Sequence, residues 1–154
     1  MTFKNYYILI LSYFFNNLYI ISIYVVQVES FMKLYFKVLK QYGDFKTRST
    51  TKEFWVFNIF SIIIALVLTV IDSYLDFKIL VNINFLNALY LIFIFTPSIA
   101  VSVRRLHDVG KSGWSILFIL IPIIGAIWLL ALFCRDTMPE RNKWGANPTL
   151  RVVL

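Results

Sequence analysis

Charged residues are scarce in this sequence. Only 15% of its 154 residues are Asp, Glu, Lys or Arg, whereas a soluble domain carries about 25%. Four stretches, residues 5–28, 54–71, 79–103 and 112–134, carry no charge at all. Each is as long as a membrane-spanning helix, which needs about 20 mostly apolar residues. A soluble core could not cover four such segments in so short a chain, so the sequence predicts an all-α polytopic membrane protein.

Cysteine and histidine each occur once, as Cys134 and His107. A single cysteine excludes an intramolecular disulfide and a thiolate zinc site, and any other metal site needs three or four ligands. Asp108 follows His107, but Ser112 stands outside the strand–turn–helix context of a catalytic nucleophile. The sequence therefore favours a protein that is not an enzyme and uses no metal or cofactor. An enzyme that depends on His107 or Asp108 ranks last among the alternatives.

A short basic amphipathic helix is predicted over residues 31–42. Apolar side chains recur there at helical spacing on one side, and lysines occupy the other side. A helix of this kind lies in the membrane interface, where its lysines face anionic headgroups. The apolar positions are Phe31, Leu34, Tyr35, Val38, Leu39 and Tyr42, and the lysines are Lys33, Lys37 and Lys40.

Residues 1–31 form a hydrophobic extension with two interpretations. It can be an additional transmembrane helix, because residues 5–28 are uncharged and long enough to span a bilayer. It can also be a mis-assigned start, with Met32 as the first native residue. The second hypothesis rests on composition, because the extension is rich in residues that AT-rich codons encode.

Three transmembrane helices make up the predicted core, at about residues 54–71, 83–103 and 114–133. They belong to a membrane domain over residues 32–148, and residues 149–154 form a tail. Pro122 and Gly125 interrupt the last predicted span, although its composition is as apolar as that of the others.

Basic residues in short loops predict which ends of the spans face the cytoplasm. Six Lys or Arg lie in residues 33–53 and three in 104–111, against one in 72–78. The first two segments are therefore expected inside, and a full last span would place the tail outside. The whole segment after the last predicted span, residues 135–154, is called the tail from here on. It nevertheless holds four basic residues. A last segment that dips into the membrane and returns would explain them, but a full span is favoured.

The polar run Arg104-Arg105-Leu106-His107-Asp108 stands between two apolar segments. In a helix, Arg104 and Asp108 are four residues apart and can pair, which leaves Arg105 to bind a lipid phosphate through two hydrogen bonds. An equal alternative is that both arginines only hold the loop inside. The predicted lipid- or anion-binding residues are Arg104, Arg105, Arg48, Lys33, Lys37 and Lys40.

Three blocks of the chain resemble the bacterial inner-membrane family called domain-of-unknown-function family 805. They are residues 35–55, the stretch PSIAVSVRRLHDVGKSGW at 97–114, and NKWGANP at 142–148. The resemblance covers about residues 32–148 and implies a multi-pass protein of the bacterial inner membrane, without implying a reaction. It also implies a structural signature made of His107, Asp108, Gly110, Ser112, Gly113, Trp114, Asn142, Gly145 and Pro148.

Two departures from the family pattern matter. Residues 1–31 have no counterpart in it, and threonines replace a glycine and two arginines in the first block, at Thr47, Thr50 and Thr51. Arg48 and Glu53 of that block remain. An anion-binding role for the first block is correspondingly weakened.

The expected function is to engage anionic lipid headgroups, or a homo-oligomeric or other membrane protein partner, through a basic cytoplasmic surface. No nucleic-acid module matches the pattern of basic residues. The alternative is a small transporter or channel subunit that acts as an oligomer. Its path would be lined by the polar residues of the spans, Asn58, Asn84, Asn87, Thr96 and Ser98.

Overall fold

The structure is a computed structural model that describes residues 3–75, 78–79 and 83–149. The chain divides into two compact units, Met1–Leu34 and Tyr35–Leu154, and each is described by itself. Of the predicted tail at 149–154, only Thr149 lies within the described residues. The predicted all-α membrane fold is confirmed, with three helices long and apolar enough to cross a bilayer: Asn16–Lys40, Thr51–Tyr74 and Phe85–Asp108.

Helix α1 (Phe3–Lys40) is one continuous helix. The predicted short helix over residues 31–42 is therefore the end of a longer one, because no proline or glycine interrupts residues 3–40. In the unit Met1–Leu34, Glu29 and Lys33 form an exposed ion pair at 2.8 Å. Helix α1 ends at Lys40, two residues before the end of the predicted helix over 31–42.

Helix α2 (Thr51–Leu75) extends the predicted span 54–71 in both directions, and helix α3 (Phe85–Asp108) begins two residues after the start of the predicted span 83–103 and ends five residues beyond it. The Thr50 hydroxyl accepts a hydrogen bond from the Glu53 amide at 3.1 Å and so caps the start of α2. At the other end of α2, the Asp72 carboxylate accepts the Leu86 and Asn87 amides at 3.1 and 3.0 Å. Asp72 thus caps the start of α3 from the neighbouring helix. Two short antiparallel strands, β1 (Lys78–Ile79) and β2 (Ile83–Asn84), lie between them.

The last apolar segment is divided into two helical pieces and is not a full span. A 3₁₀ helix covers Gly113–Leu120, and helix α4 covers Ile124–Cys134. Eight residues of 3₁₀ helix rise about 16 Å, and eleven residues of α-helix also rise about 16 Å. Neither piece crosses a hydrocarbon core of about 30 Å.

A tight reversal joins the two pieces. Pro122, Ile123 and Ile124 form a γ-turn, in which the Ile124 amide donates to the Pro122 carbonyl at 2.7 Å and Ile123 has φ 65° and ψ −65°. Gly125 then packs against the first piece so closely that a Cβ atom would lie 1.7 Å from the Phe118 carbonyl oxygen. Only glycine permits this approach, so the segment folds into a hairpin.

The chain after α4 returns to the end of the molecule where α2 begins and α3 ends. The Arg135 carbonyl accepts a hydrogen bond from the Thr51 hydroxyl at 3.2 Å, and the Asn142 amide group donates to the His107 carbonyl at 2.9 Å. The favoured prediction of a full span over 114–133, with the tail on the opposite side, is therefore wrong. The structure favours the alternative of a segment that dips in and returns, because Pro122 cannot continue the helix and Gly125 permits its reversal.

Two apolar clusters hold the unit Tyr35–Leu154 together. The larger one joins the end of α1 to α2 and α3, and the smaller one packs the end of α3 against α4. Buried members of the first are Tyr35, Val38, Phe54, Phe57, Ile94 and Val101. Those of the second are Leu106, Val109, Leu129 and Leu132.

Candidate functional site

Asp108, the last residue of α3, lies at the centre of a buried ionic cluster. Its side chain is fully buried and accepts a hydrogen bond from Arg48 Nε at 2.9 Å. Arg105, three residues earlier on the same helix, binds its other carboxylate oxygen. The predicted pair of Arg104 with Asp108 is therefore wrong. Arg104 is drawn away because Glu53 approaches it from α2 at 3.5 Å.

Arg48 and Arg105 also hold the returning tail through its backbone. The Arg48 guanidinium donates to the carbonyls of Glu140, Gly145 and Met138 at 2.8, 3.1 and 2.7 Å. Arg105 donates to the carbonyls of two residues at the end of α4, namely Phe133 at 3.3 Å and Arg135. Four tail carbonyls and that of Phe133 in α4 thus accept hydrogen bonds from two cations, and bonds to charged donors are among the strongest in proteins.

A second buried group of charges surrounds Glu53, whose side chain is almost inaccessible. Lys37 Nζ lies 3.0 Å from one Glu53 oxygen and Arg104 lies 3.5 Å from the other. Arg104 also donates to the Gln41 side chain. Its Nε and Nη2 atoms are buried and have no hydrogen-bond partner among the described residues. The group links the ends of α1 and α3 to the start of α2.

The burial of the arginines changes the predicted anion-binding set. Arg48, Arg104 and Arg105 are only 6%, 1% and 0% exposed, so they stabilise the fold and do not form an open surface for headgroups. Of the predicted lysines, Lys37 is partly engaged by Glu53, and Lys40 is exposed. Lys33 is exposed and paired with Glu29 in the other compact unit.

His107, in the block 97–114, contacts both of the other sequence blocks. Its ring stacks on Trp144, with centroids 4.3 Å apart and planes 12° apart. His107 Nδ1 lies 3.3 Å from the Thr47 carbonyl, which can only accept, so Nδ1 carries the proton and Nε2 is left as the second polar atom. Asn142 and Gly145 exchange backbone hydrogen bonds at 3.1 and 3.0 Å, and this turn places Trp144 on the ring.

Glycines shape both ends of the polar run. Gly110, which follows the end of α3, has φ +76°, the left-handed conformation that favours glycine at a helix end. At Gly113, a Cβ atom would lie 2.7 Å from Val103 and 3.3 Å from His107 Nε2. Gly113 therefore lets the 3₁₀ helix approach α3. Pro148, the last residue of the predicted signature, is half-buried.

Ser112, Gly113 and Trp114 line a cleft with His107, which the sequence alone did not reveal. The cleft has a volume of about 430 Å³ and lies between the end of α3 and the 3₁₀ helix. No spacing rule could find it, because its walls come from three separate segments. Its other lining residues are Phe45, Ile99, Val103, Ile116 and Leu117.

Exposed cations surround the end of the molecule where the tail returns. We call these cations the basic rim. Among the described residues they outnumber the exposed carboxylates nearby, which belong to Asp136 and Glu140. Partial burial works to raise the pKa of Asp44, but hydrogen bonds from Thr47 and Lys46, with the charge of Arg104, hold that pKa below its ordinary value. The basic rim consists of Lys40, Lys46, Lys52, Lys111, Arg135, Arg141 and Lys143.

The polar residues proposed to line a transport path make hydrogen bonds within and between helices. Asn58 and Ser98 each donate to a carbonyl one turn earlier, at 2.8 Å in both cases. Asn87 donates to the Thr69 hydroxyl on the neighbouring helix at 3.0 Å. Asn84 directly precedes α3, and Thr96 lines a separate apolar cavity of about 260 Å³. These side chains do not form a continuous polar row among the described residues.

Comparison with known proteins identifies the family. Residues 42–146 match the profile described as "Protein of unknown function (DUF805)". The chain belongs to this family. The DUF805 chain is 38% identical to inner membrane protein YhaH of Escherichia coli (strain K12) over 119 residues, which cover 77% of this chain and 98% of YhaH. It is 36% identical to inner membrane protein YhaI of the same strain over 118 residues, or 76% of this chain and 96% of YhaI.

No solved structure matches this DUF805 chain. The predicted family and the inner-membrane location are confirmed by these relatives and by the three apolar helices. The matched family carries no enzymatic description. Among the described residues, no three His, Cys, Asp or Glu side chains come together as metal ligands.

Proposed function

We propose that this protein is a non-enzymatic component of the inner membrane that gathers anionic phospholipid headgroups at its cytoplasmic basic rim. The observation that carries the proposal is the return of the tail. Because residues 135–143 fold back beside the loops at 40–52 and 111, cations from three distant segments meet at one end of the molecule.

Electrostatics supports a headgroup partner for the basic rim. Each Lys or Arg near an anionic leaflet contributes about 1 kcal/mol of attraction, and this attraction falls off within one Debye length, about 8 Å at physiological ionic strength. Among the residues that the structure describes, seven exposed cations and two exposed carboxylates lie at this end. A surface of that charge, attached to membrane helices, stays at headgroup level and needs no diffusion to meet its ligand.

The buried ionic cluster has a positioning role in this proposal. Arg48 and Arg105 hold the carbonyls of residues 133–145, and those residues carry Arg135, Arg141 and Lys143 of the basic rim. The buried arginines thus act on lipid binding through the tail, and the exposed side chains meet the headgroups.

The test is the lipid composition around the full chain after extraction with a membrane-solubilising copolymer. The triple variant Lys40→Gln, Lys52→Gln, Arg141→Gln replaces three cations of the basic rim with uncharged side chains. It should retain a smaller fraction of anionic phospholipid than the wild type. Lys78→Gln, which removes the same kind of charge at the opposite end of α2 and α3, is the control and should have no effect. An unchanged anionic fraction in the triple variant contradicts the proposal, and loss of a co-purified protein instead would favour a membrane protein partner.

A further inference from the structure

We infer that the cleft beside His107 holds one acyl chain of a single anionic phospholipid, with the phosphate at the mouth of the cleft. This inference deepens the proposed function and rests on it, because it adds a defined site to the diffuse attraction of the basic rim. Nothing in the family description assigns a ligand to the chain.

The walls of the cleft suit a hydrocarbon chain. Five apolar side chains line it, and Ile99 and His107 mark its two ends along α3. Eight residues of α-helix rise about 12 Å, so the cleft extends from headgroup level into the upper hydrocarbon layer. Its volume of about 430 Å³ lies within the range of small-molecule sites in proteins, about 300–1,000 Å³.

The polar side chains that line the cleft, His107 and Ser112, lie where α3 ends, and we take this end of the cleft as its mouth. His107 Nε2 faces Gly113 and the cleft, because Nδ1 is engaged by the Thr47 carbonyl, and the exposed Ser112 lies beside it. Lys111 directly precedes Ser112 in the chain, and Lys46 directly follows Phe45 of the cleft wall; both lysines are exposed. The mouth therefore complements a phosphate.

Trp114 marks the depth of the mouth. It lines the cleft and is 79% exposed, and tryptophan is enriched at the level of the headgroups, where its ring is partly apolar and its N–H is polar. An apolar wall below a tryptophan and two lysines has the same order, from the headgroup inward, as one phospholipid. A phospholipid is also the molecule that surrounds the chain at this depth.

The experiment is native mass spectrometry of the full chain in detergent, titrated with dioleoyl phosphatidylglycerol or dioleoyl phosphatidylcholine. The wild type should retain one phosphatidylglycerol per chain and retain phosphatidylcholine more weakly. Ile99→Trp, which fills the cleft, should lower retention of that lipid by roughly tenfold. The control is Ile92→Trp, the same change on the same helix at a residue that is 73% exposed and outside the cleft; it should behave as the wild type.

A second variant protects the test against misfolding. Leu117→Trp fills the cleft from the 3₁₀ helix, where the leucine is 50% exposed, and it should reproduce the loss. Unchanged retention in a folded Ile99→Trp or Leu117→Trp variant overturns the inference. Equal retention of the two lipids by the wild type also overturns it, as does a shift to protein dimers in place of lipid adducts.

The outcomes separate this inference from the proposed function. If cleft filling has no effect while the triple variant of the basic rim loses anionic lipid, the cleft is refuted and the proposed function stands. If cleft filling removes the bound lipid while the triple variant behaves as the wild type, the general role of the basic rim is refuted. Lys46→Gln with Lys111→Gln should abolish the preference for phosphatidylglycerol over phosphatidylcholine at the cleft.

Discussion

Arg48 and Asp108 form a buried ion pair 2.9 Å long, although 60 residues separate them in the chain. Arg48 precedes α2, and Asp108 ends α3. The remaining donors of Arg48 hold carbonyls of the tail. One guanidinium thus joins three segments at the end of the molecule where the tail returns.

Removal of the Arg48 side chain should release the tail. Arg48→Ala leaves Asp108 with Arg105 as its remaining partner and three carbonyls without their donor. Loss of one partner from a buried ion pair costs about 3–5 kcal/mol of stability. We expect a lower midpoint in detergent thermal unfolding and faster tryptic cleavage after Arg141 or Lys143. Arg141→Ala, an exposed change of the same type, should leave the midpoint within about 0.5 kcal/mol, and equal destabilisation by both variants would contradict the assignment.

The single cysteine reports the topology of the hairpin. Cys134 is exposed and ends α4 at the end of the molecule where the tail returns. A membrane-impermeant maleimide should therefore label it in inverted vesicles and leave it unlabelled in intact spheroplasts. The control is Tyr74→Cys in a Cys134→Ser background, because Tyr74 is 86% exposed near the opposite end of α2. A cysteine at position 74 should be labelled in intact spheroplasts and not in inverted vesicles. Labelling of Cys134 in intact spheroplasts would contradict the hairpin and support a full span over 114–133.

Substitution of Gly125 should break the hairpin. A methyl group in Gly125→Ala would lie 1.7 Å from the Phe118 carbonyl oxygen, which is backbone and cannot rotate away. Overpacking of well-packed sites costs about 1–3 kcal/mol, and at times more, and we expect the upper end or beyond. Gly43→Ala is the matched control, since nothing lies within 4 Å of its Cβ position. Similar thermal midpoints for the two variants would contradict the prediction, because they would show that close contact between the 3₁₀ helix and α4 does not stabilise the fold.

Asp72 should stabilise the connection between the end of α2 and the start of α3, which lies at the opposite end of these helices from Arg48. Its carboxylate accepts the Leu86 and Asn87 amides, which would otherwise be among the unsatisfied donors at the start of α3. Loss of a capping carboxylate costs about 0.5–2 kcal/mol, so Asp72→Ala should lower the unfolding midpoint and increase hydrogen exchange at those two amides. Asp136→Ala, at an exposed position, is expected to change neither quantity.

Several parts of the fold could be predicted from local sequence because local chemistry decides them. Uncharged stretches of about 20 residues leave a helix in lipid as the only backbone arrangement that satisfies its own hydrogen bonds. Gly110 could be assigned to the end of α3 because a left-handed residue there favours glycine. The excess of basic residues at 33–53 and 104–111 predicts in the same way that these segments face the cytoplasm, and this orientation stays a prediction.

The partners of the arginines were beyond local rules. Spacing alone allows Asp108 to pair with Arg104, four residues earlier, or with Arg105, three residues earlier. The choice depends on the position of Glu53, which lies on another helix and binds Arg104. Burial of Arg48 and Arg105 likewise depends on carbonyl acceptors in residues 133–145, up to 97 residues away from Arg48 in the chain. The predicted open anion surface was wrong for Arg48, Arg104 and Arg105 because the folded chain buries all three side chains.

The sequence by itself determined that this protein is an all-α inner-membrane protein of its family, because hydrophobic length and the distribution of charge are properties of single segments. Only the tertiary structure decided that residues 113–134 reverse and bring the tail back to the end of the molecule where α2 begins and α3 ends. A full span and a hairpin have the same hydropathy. They differ in the backbone contact between Gly125 and Phe118, and in the long-range bonds that Arg48 and Arg105 make to the tail.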